Sequence, residues 1–403
     1  MSRKIVIVGG GFAGLWGALG AARLLDMEGR ADGPVEIALV SPAPVLAMRP
    51  RLHESEPEGM TTPILPLLEA AGVRYIQGTV DRIHQRDQCV EATSADGGRL
   101  TLSYDRLLLT SGSRMHRPEV PGLREHAFSV DQLEEAVALD RHLKRLASLP
   151  ETPARNTVVV VGGGFTGIEV ACELPARLRA ALGGDAAFDI VLVERGAEIG
   201  PDLGAGPRPV IEEALDKLGV TRVLGAAVVA VDTGGVRTAD GRRVEAATVI
   251  WTGGPRASAL TEQLAGERDA LGRLRVEDDL RVAGVPGVFA AGDVASAVVD
   301  DQGKHALMSC QHALDMGRHA GHNVAADLLG LPTLAYRQPR YVTCLDLGGW
   351  GAVYTEGWDR QVKMAGADAK ALKVKINTQW IYPPSADRAT LLAAAAPARA
   401  VAG

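Results

Sequence analysis

Two glycine-rich segments of this 403-residue chain have the spacing that brings a backbone close to a diphosphate. Both follow the pattern Gly-x-Gly-x-x-Gly, with Gly9, Gly11 and Gly14 in the first loop and Gly162, Gly164 and Gly167 in the second. The first glycine permits a tight turn, the second admits a pyrophosphate, and the third lets helix and strand pack closely. Free N–H groups at the helix N-terminus favour the anion. Two such loops predict two dinucleotide sites.

A second position in each unit predicts how the ribose is bound. Ser41 and Glu194 each lie 32 positions after the first glycine of their loop, at the end of the following apolar run. An acid there accepts a hydrogen bond from the ribose 2′-hydroxyl and repels a 2′-phosphate. Glu194 therefore favours NADH, although Arg195 beside it is able to accept a phosphate. Ser41 offers only an uncharged hydroxyl.

Two carboxylates lie near the start of the helix that follows the second loop. Glu169 and Glu173 are four positions apart, so they share a helix face, where like charges repel. Either a cation partners them or one is protonated. A perturbed carboxyl is typical of a working site. The alternative is that Glu169 simply complements the helix dipole.

The elements that position these residues predict an α/β fold. Each glycine loop follows a β-branched run, residues 5–8 or 158–161, and precedes a helix-like stretch and another apolar run. This order, found twice, predicts two Rossmann-like dinucleotide-binding domains with parallel sheets. Three of five Trp and four of six Tyr lie beyond residue 330, which indicates a separate small C-terminal domain. The Ala-rich stretch 391–401 resembles a frayed tail.

The composition excludes several classes of function. The formal net charge is −6 and no Lys/Arg block occurs, which argues against nucleic-acid binding. No signal peptide and no run of about 18 apolar residues is evident, so a cytoplasmic protein is expected. Cys89, Cys172, Cys310 and Cys344 lack the spacing of a metal site or a disulfide framework.

Four further segments carry a resemblance to a known family. Residues 104–113 end in Thr-Ser-Gly-Ser, residues 249–254 read Val-Ile-Trp-Thr-Gly-Gly, and residues 288–293 read Val-Phe-Ala-Ala-Gly-Asp. Residues 310–313 read Cys-Gln-His-Ala, where Cys310 replaces an Ala. With the two loops, they make the chain resemble the two-dinucleotide flavoprotein reductases, and within them the type II NADH dehydrogenases, over about residues 4–360.

The resemblance implies FAD and NADH as cofactors and an NAD domain inserted into an FAD domain. The implied FAD-binding domain comprises residues 1–118 and 262–328, the NAD(P)H-binding domain residues 119–261, and an α/β cap domain residues 329–403. Glu169 and Gln311 are the implied catalytic residues, and no metal is expected. Besides the loop glycines, Ser41 and Glu194, the implied cofactor contacts are Phe12, Ala13, Arg49, Val80, Thr110, Ser111, Gly112, Gly253, Gly292, Asp293 and Gln311.

The expected activity is hydride transfer from NADH to FAD, followed by transfer of two electrons to a quinone or another aromatic acceptor near Gln311. The family's membrane-bound members end in amphipathic helices that are not evident here, so membrane association is expected to be weak or absent. For Arg49 a solvated side chain is as plausible as a phosphate or flavin contact, and for His312 a surface histidine is as plausible as a proton donor.

Other functions stay open on the sequence alone. Cys344 suggests a sulfide:quinone reductase, whose chemistry needs a second cysteine close by, and no partner is evident. A redox-responsive sensor with slow NADH oxidation would use the aromatic C-terminal segment as an interface, which is also a candidate homodimer contact. A reductase for a protein such as ferredoxin usually has a basic docking face, which the acidic balance disfavours.

Overall fold

The computed structural model describes residues 3–31 and 33–397. The first part contains β1 (Arg3–Val8), α1 (Phe12–Met27), β2 (Val35–Ser41), β3 (Val45–Ala47), β4 (Thr61–Pro63), α2 (Leu65–Ala71), β5 (Arg74–Gln77), β6 (Thr79–His84), β7 (Cys89–Thr93), β8 (Arg99–Ser103), β9 (Arg106–Leu109) and β10 (Ser113–Met115). The second part contains α3 (Leu123–His126), α4 (Leu133–Arg145), β11 (Thr157–Val161), α5 (Phe165–Leu182), β12 (Asp189–Val193), α6 (Arg208–Leu218), β13 (Val220–Val223), β14 (Val228–Asp232), β15 (Gly235–Thr238), β16 (Arg243–Glu245), β17 (Thr248–Trp251) and β18 (Pro255–Ala257). The remainder contains β19 (Leu274–Arg275), β20 (Val288–Ala290), β21 (Ala295–Ser296), α7 (Cys310–Leu329), β22 (Val342–Asp346), β23 (Ala352–Glu356), β24 (Gln361–Gly366), α8 (Ala367–Lys375), a π-helix (Ile376–Trp380) and α9 (Arg388–Ala394).

The first unit is built on a five-stranded parallel sheet in the order β20-β9-β1-β2-β5. Strand β20 completes this sheet although the whole second unit separates it from β9 in sequence. Helices α1 and α7 pack together through glycines, because a Cβ on Gly321 would lie 2.0 Å from the carbonyl oxygen of Gly17. The second unit is therefore inserted into the first, in agreement with the order of the sequence motifs.

The second unit repeats this design with a four-stranded parallel sheet in the order β13-β12-β11-β17. Each parallel sheet is accompanied by a three-stranded antiparallel sheet, β6-β7-β8 in the first unit and β14-β15-β16 in the second. The predicted fold, two Rossmann-like domains with an α/β C-terminal region, is confirmed. The exact domain boundaries remain predictions.

The C-terminal region begins as an antiparallel sheet, β22-β23-β24, against which α8 packs. The chain then returns to the first unit, where α9 packs against α1 and α2. Leu391 is fully buried, and Arg388 donates a hydrogen bond of 3.1 Å to the carbonyl oxygen of Ala70. The expectation of a frayed tail is therefore wrong for residues 391–397, because its leucines fill an apolar groove. Residues 398–401 lie outside the described part of the chain.

The topology places both glycine loops at the carboxyl ends of parallel strands, β1 and β11, where open α/β sheets bind their ligands. Among the described residues, none of the helices is long and apolar enough to cross a membrane.

Candidate active site

The first glycine loop has the geometry of a tight turn with room for a ligand. Gly9 has φ +110°, and a Cβ on it would lie 2.4 Å from the carbonyl oxygen of Thr110. A Cβ on Gly14 would lie 1.8 Å from the carbonyl oxygen of Gly9, so α1 begins directly against the turn. A Cβ on Gly11 would meet nothing within 4 Å. Gly9 and Gly14 are therefore needed for the close packing of the protein's own backbone, whereas Gly11 faces open space.

The second loop has nearly the same backbone geometry as the first. Gly162 has φ +110°, a Cβ on Gly167 would lie 1.8 Å from the carbonyl oxygen of Gly162, and a Cβ on Gly164 would meet nothing within 4 Å. In the first loop the hydroxyl of Thr110 donates a hydrogen bond of 2.8 Å to the carbonyl oxygen of Val8. The second loop has a counterpart to this threonine, which the sequence reasoning did not single out.

Thr252 is that counterpart, and its hydroxyl donates 2.9 Å to the carbonyl oxygen of Val161. Thr110 follows β9 and Thr252 follows β17, the strands beside the two glycine loops. The hydrogen bond of each threonine connects its strand to the neighbouring loop. The sequence signal that could have identified both threonines is their position. Each directly follows an apolar strand, which ends at Leu109 in the first unit and at Trp251 in the second.

The helix N-termini behind both loops are suited to an anion. Neither α1 nor α5 has a side chain capping its N-terminal N–H groups, and neither has an acidic residue in its first turn. Together with the open space at Gly11 and Gly164, this leaves N–H donors and the positive end of the helix dipole for a phosphate group. The residues present therefore fit a dinucleotide pyrophosphate at each loop.

One continuous cavity of about 2580 Å³ joins the two loops. Single ligand pockets have volumes of roughly 300–1,000 Å³, so this cavity has room for two cofactors and a further substrate. Of the predicted site residues, all except Gly14 and Gly167 line it. Those two glycines lie behind the loops, where they serve the packing of helix on strand.

The two predicted ribose residues have different surroundings. The carboxylate of Glu194 accepts hydrogen bonds from the N–H of Gly163 at 2.6 Å and of Gly196 at 2.7 Å. The hydroxyl of Ser41 donates a hydrogen bond of 2.9 Å to the carbonyl oxygen of Ala43. Glu194 is thus held rigidly as a charged group at the cavity wall, and Ser41 presents no charge.

Arg49 is partly buried and is paired with two carboxylates. Its guanidinium contacts the carboxylate of Asp131 at 2.5 Å and that of Asp293 at 3.3 Å. Asp293 also accepts a hydrogen bond of 2.6 Å from the hydroxyl of Ser113. Two carboxylates hold the side chain, which is still 32% exposed. Whether Arg49 or Asp293 touches a cofactor stays a prediction.

Glu169 and Glu173 each have a lysine partner, which confirms that a cation relieves their repulsion. The ammonium of Lys373 lies 2.8 Å from Glu169 and that of Lys370 lies 3.4 Å from Glu173. Burial opposes the charged ammonium, but its interactions with Glu169 and, more weakly, with Asp346 and Cys344 together outweigh burial and raise the pKa of Lys373 above its usual value. The backbone N–H of Asp346 also donates a hydrogen bond of 3.0 Å to the carboxylate of Glu169.

Gln311 lies at the cavity wall in the first turn of α7. His312 beside it is fully buried, so the expectation of a surface histidine is wrong. Burial, aided by the charge of Arg273, lowers the pKa of His312 to about 4, which disfavours a protonated imidazole near pH 7. Its ring stacks on Tyr341 at 5.4 Å, and Tyr341 stacks on Trp358 at 4.6 Å.

All four cysteines are free of disulfide bonds in the described part of the chain. Burial raises the pKa of the Cys344 thiol to about 11, and its Sγ contacts the carbonyl oxygen of Ala369 at 3.7 Å. Cys172 is buried within α5, which raises the pKa of its thiol further. Because the thiolate is the nucleophile, these surroundings disfavour sulfide chemistry.

Comparisons with known proteins agree with this geometry. The sequence profile of the family described as pyridine nucleotide-disulphide oxidoreductase matches residues 3–317. An NADH dehydrogenase-like protein of Mycobacterium tuberculosis is 50% identical over 403 residues, 98% of either chain. The demethylphylloquinone reductase NdbB of Synechocystis sp. is 31% identical over 361 residues, 87% of this chain and 86% of that protein. The solved structure of NDH2 from Plasmodium falciparum in complex with NADH has the same fold, with a TM-score of 0.77 at 15% identity over 98% of this chain and 97% of that chain.

Proposed function

Because the chain belongs to the pyridine nucleotide-disulphide oxidoreductase family, we propose that it is a flavoprotein that oxidises NADH and reduces a quinone. The observation that carries this proposal is the single cavity into which both glycine loops open. Glu169 and Gln311 line the same cavity, so two cofactors held by the two loops would meet beside a buried carboxylate and an amide.

The first loop is assigned to FAD and the second to NADH. Gly11 and Gly164 leave the space for the two pyrophosphates, and the N-termini of α1 and α5 supply N–H donors. When bound, FAD supplies the capacity to accept a hydride and release electrons; the protein supplies binding and orientation. The other cavity-lining residues of the first unit that we assign to FAD are Phe12, Ala13, Ser41, Arg49, Val80, Thr110, Ser111, Gly112, Gly292, Asp293 and Gln311.

Glu194 is the residue that selects NADH over NADPH. Its carboxylate is fixed by two backbone N–H groups and only 6% of the residue is exposed, so it cannot turn away from a bound ribose. A fixed negative charge repels a 2′-phosphate. Gly253 lines the same cavity and is assigned to the nicotinamide half of NADH.

The acceptor is a quinone or another flat aromatic compound that binds on the Gln311 side. Tyr341 and Trp358, which stack on each other, line the cavity beside α7 and provide an aromatic wall. A relative that shares 31% identity is described as a demethylphylloquinone reductase, which supports a quinone as the acceptor. A cytoplasmic location, weak or absent membrane association and a homodimer remain predictions.

Steady-state turnover with purified protein tests the proposal. We expect NADH oxidation to accelerate at least tenfold when a water-soluble naphthoquinone is added, and NADPH to be the poorer donor. An equal rate with and without quinone would contradict the acceptor assignment. An equal efficiency for NADPH would contradict the role of Glu194.

A further inference from the structure

His53 is a buried histidine of the first unit that the sequence reasoning did not identify. Only 3% of it is exposed, and it lines the cavity that joins the two glycine loops. Its Nδ1 lies 3.6 Å from Oε2 of Glu169. Its Nε2 is buried and has no hydrogen-bond partner among the described residues. Buried polar atoms are rarely left unpaired, so this imidazole needs a functional account.

The backbone around His53 is held firmly in place. Its carbonyl oxygen accepts a hydrogen bond of 3.1 Å from Arg177, which pairs with Asp140 at 2.9 Å. The next residue, Glu54, accepts hydrogen bonds from Arg51 at 2.8 Å and Asn377 at 3.1 Å. His53 is therefore positioned by contacts to the second unit on one side and to the C-terminal region on the other.

The hydrogen bonds of Glu169 leave one of its oxygens for His53. Oε1 accepts from the ammonium of Lys373 at 2.8 Å and from the N–H of Asp346 at 3.0 Å. Oε2 has the imidazole of His53 as its neighbour. The charged groups in and next to this cluster are Arg51, Glu54, Asp140, Glu169, Glu173, Arg177, Asp346, Lys370 and Lys373.

The proposed reaction needs one proton from solvent in every turnover. NADH provides two electrons and one hydrogen nucleus, whereas reduction of a quinone to a hydroquinone takes two electrons and two protons. The second proton must reach the acceptor inside the cavity. Histidine is the side chain whose ordinary titration falls in the physiological range, so it is suited to this transfer.

We propose that His53 delivers this proton to the site through Glu169, an inference that rests on the proposed function. The Nδ1–H bond of the imidazolium breaks and an O–H bond forms at Oε2 of Glu169, with no change in oxidation state. Glu169 passes the proton to the reduced acceptor, and His53 is reprotonated from solvent. His53 acts through Glu169 and is thus a positioning and proton-supplying residue.

The variant His53→Asn tests the inference, because its amide keeps an N–H near the position of Nδ1 but cannot exchange a proton. We expect unchanged flavin content and an unchanged rate of flavin reduction by NADH. Turnover with quinone should fall by roughly tenfold or more, since general acid–base groups contribute about 10²–10⁴-fold. The pH profile of turnover should also differ from that of the wild type. In His53→Ala, added imidazole should restore part of the turnover.

The matched control is His84→Asn, which alters another histidine that pairs with a carboxylate, Glu91 at 3.2 Å, outside the cavity. This control should behave as the wild type. If His53→Asn keeps the wild-type turnover and pH profile, the inference is wrong while the proposed function stands. If both His53→Asn and His53→Gln lose their flavin, the role of His53 is structural and the inference is also wrong. If the wild-type protein itself does not oxidise NADH, the proposed function fails first.

Discussion

Lys373 in the C-terminal region donates a hydrogen bond of 2.8 Å to Glu169 in the second unit, 204 positions earlier in the chain. Both side chains are only 6% exposed. The ammonium of Lys373 also donates 3.0 Å to the carbonyl oxygen of Cys344. A buried ion pair with additional hydrogen bonds fixes its two partners strongly, and here it joins the C-terminal region to the wall of the cavity.

Removal of Lys373 should destabilise the protein and disturb the site. In Lys373→Met the carboxylate of Glu169 is left buried without its cation, which costs about 3–5 kcal/mol of unfolding free energy. Chemical denaturation of the flavin-bound protein measures this loss. The double variant with Glu169→Gln should recover part of it, because no unpaired charge remains. Lys375→Met changes an exposed lysine two positions away and should be neutral; an equal loss there would contradict the account.

The two open glycines provide a matched pair of variants. Because a Cβ on Gly11 or Gly164 would meet no protein atom within 4 Å, valine at either position leaves the fold intact and fills only the ligand space. Gly11→Val should be isolated without FAD. Gly164→Val should keep FAD and bind NADH at least tenfold more weakly. The absorbance of flavin in the purified protein and titration with NADH measure the two effects, and full flavin content in Gly11→Val would refute the assignment of the first loop.

Loss of the ribose-binding carboxylate should relax the choice of nucleotide. Glu194→Ala removes the fixed negative charge, so the KM for NADH should rise and the discrimination against NADPH should fall. One good hydrogen bond to a charged group contributes about 1.5–3 kcal/mol, which corresponds to roughly 10- to 150-fold in KM. Glu194→Gln retains the shape without the charge and should mainly affect NADPH. Unchanged constants in both variants would exclude Glu194 from the ribose site.

The buried imidazole of His312 should make stability depend on pH. The pKa of His312 is about 4 in the folded protein, below the ordinary value of about 6.5 that applies to the unfolded chain. The unfolded chain therefore binds the proton more readily, and stability falls as the pH drops from 6.5 to 4, by about 3 kcal/mol in total. His312→Phe keeps a ring against Tyr341 and should lose this part of the pH dependence in denaturation curves. A slope identical to the wild type would show that other groups cause it.

The sequence predicts local features better than distant ones. The glycine loops and their following strands are short segments whose own spacing dictates a turn and a helix, so Gly9, Gly162 and their neighbours are recognisable. The repulsion between Glu169 and Glu173 also indicates that either a cation partners them or one of them is protonated. Which cation is present depends on tertiary packing, which no local pattern reveals.

Three features show the limit of local patterns. Lys373 reaches Glu169 only because α8 packs at the end of β22, far along the chain. His53 approaches Glu169 only because the first and second units close around one cavity. Leu391 lies in an Ala-rich stretch without a clear pattern, and only the groove beside α1 and α2 makes it a core residue.

A two-step stopped-flow experiment on the purified protein under anaerobic conditions tests the central claim most directly. NADH is mixed first while the flavin absorbance at about 450 nm is followed, and a soluble naphthoquinone is added second. We expect rapid bleaching by NADH and rapid recovery with one equivalent of quinone. Bleaching without recovery would contradict the quinone assignment, and no bleaching at all would contradict the claim that the two glycine loops bring NADH and FAD together in one cavity.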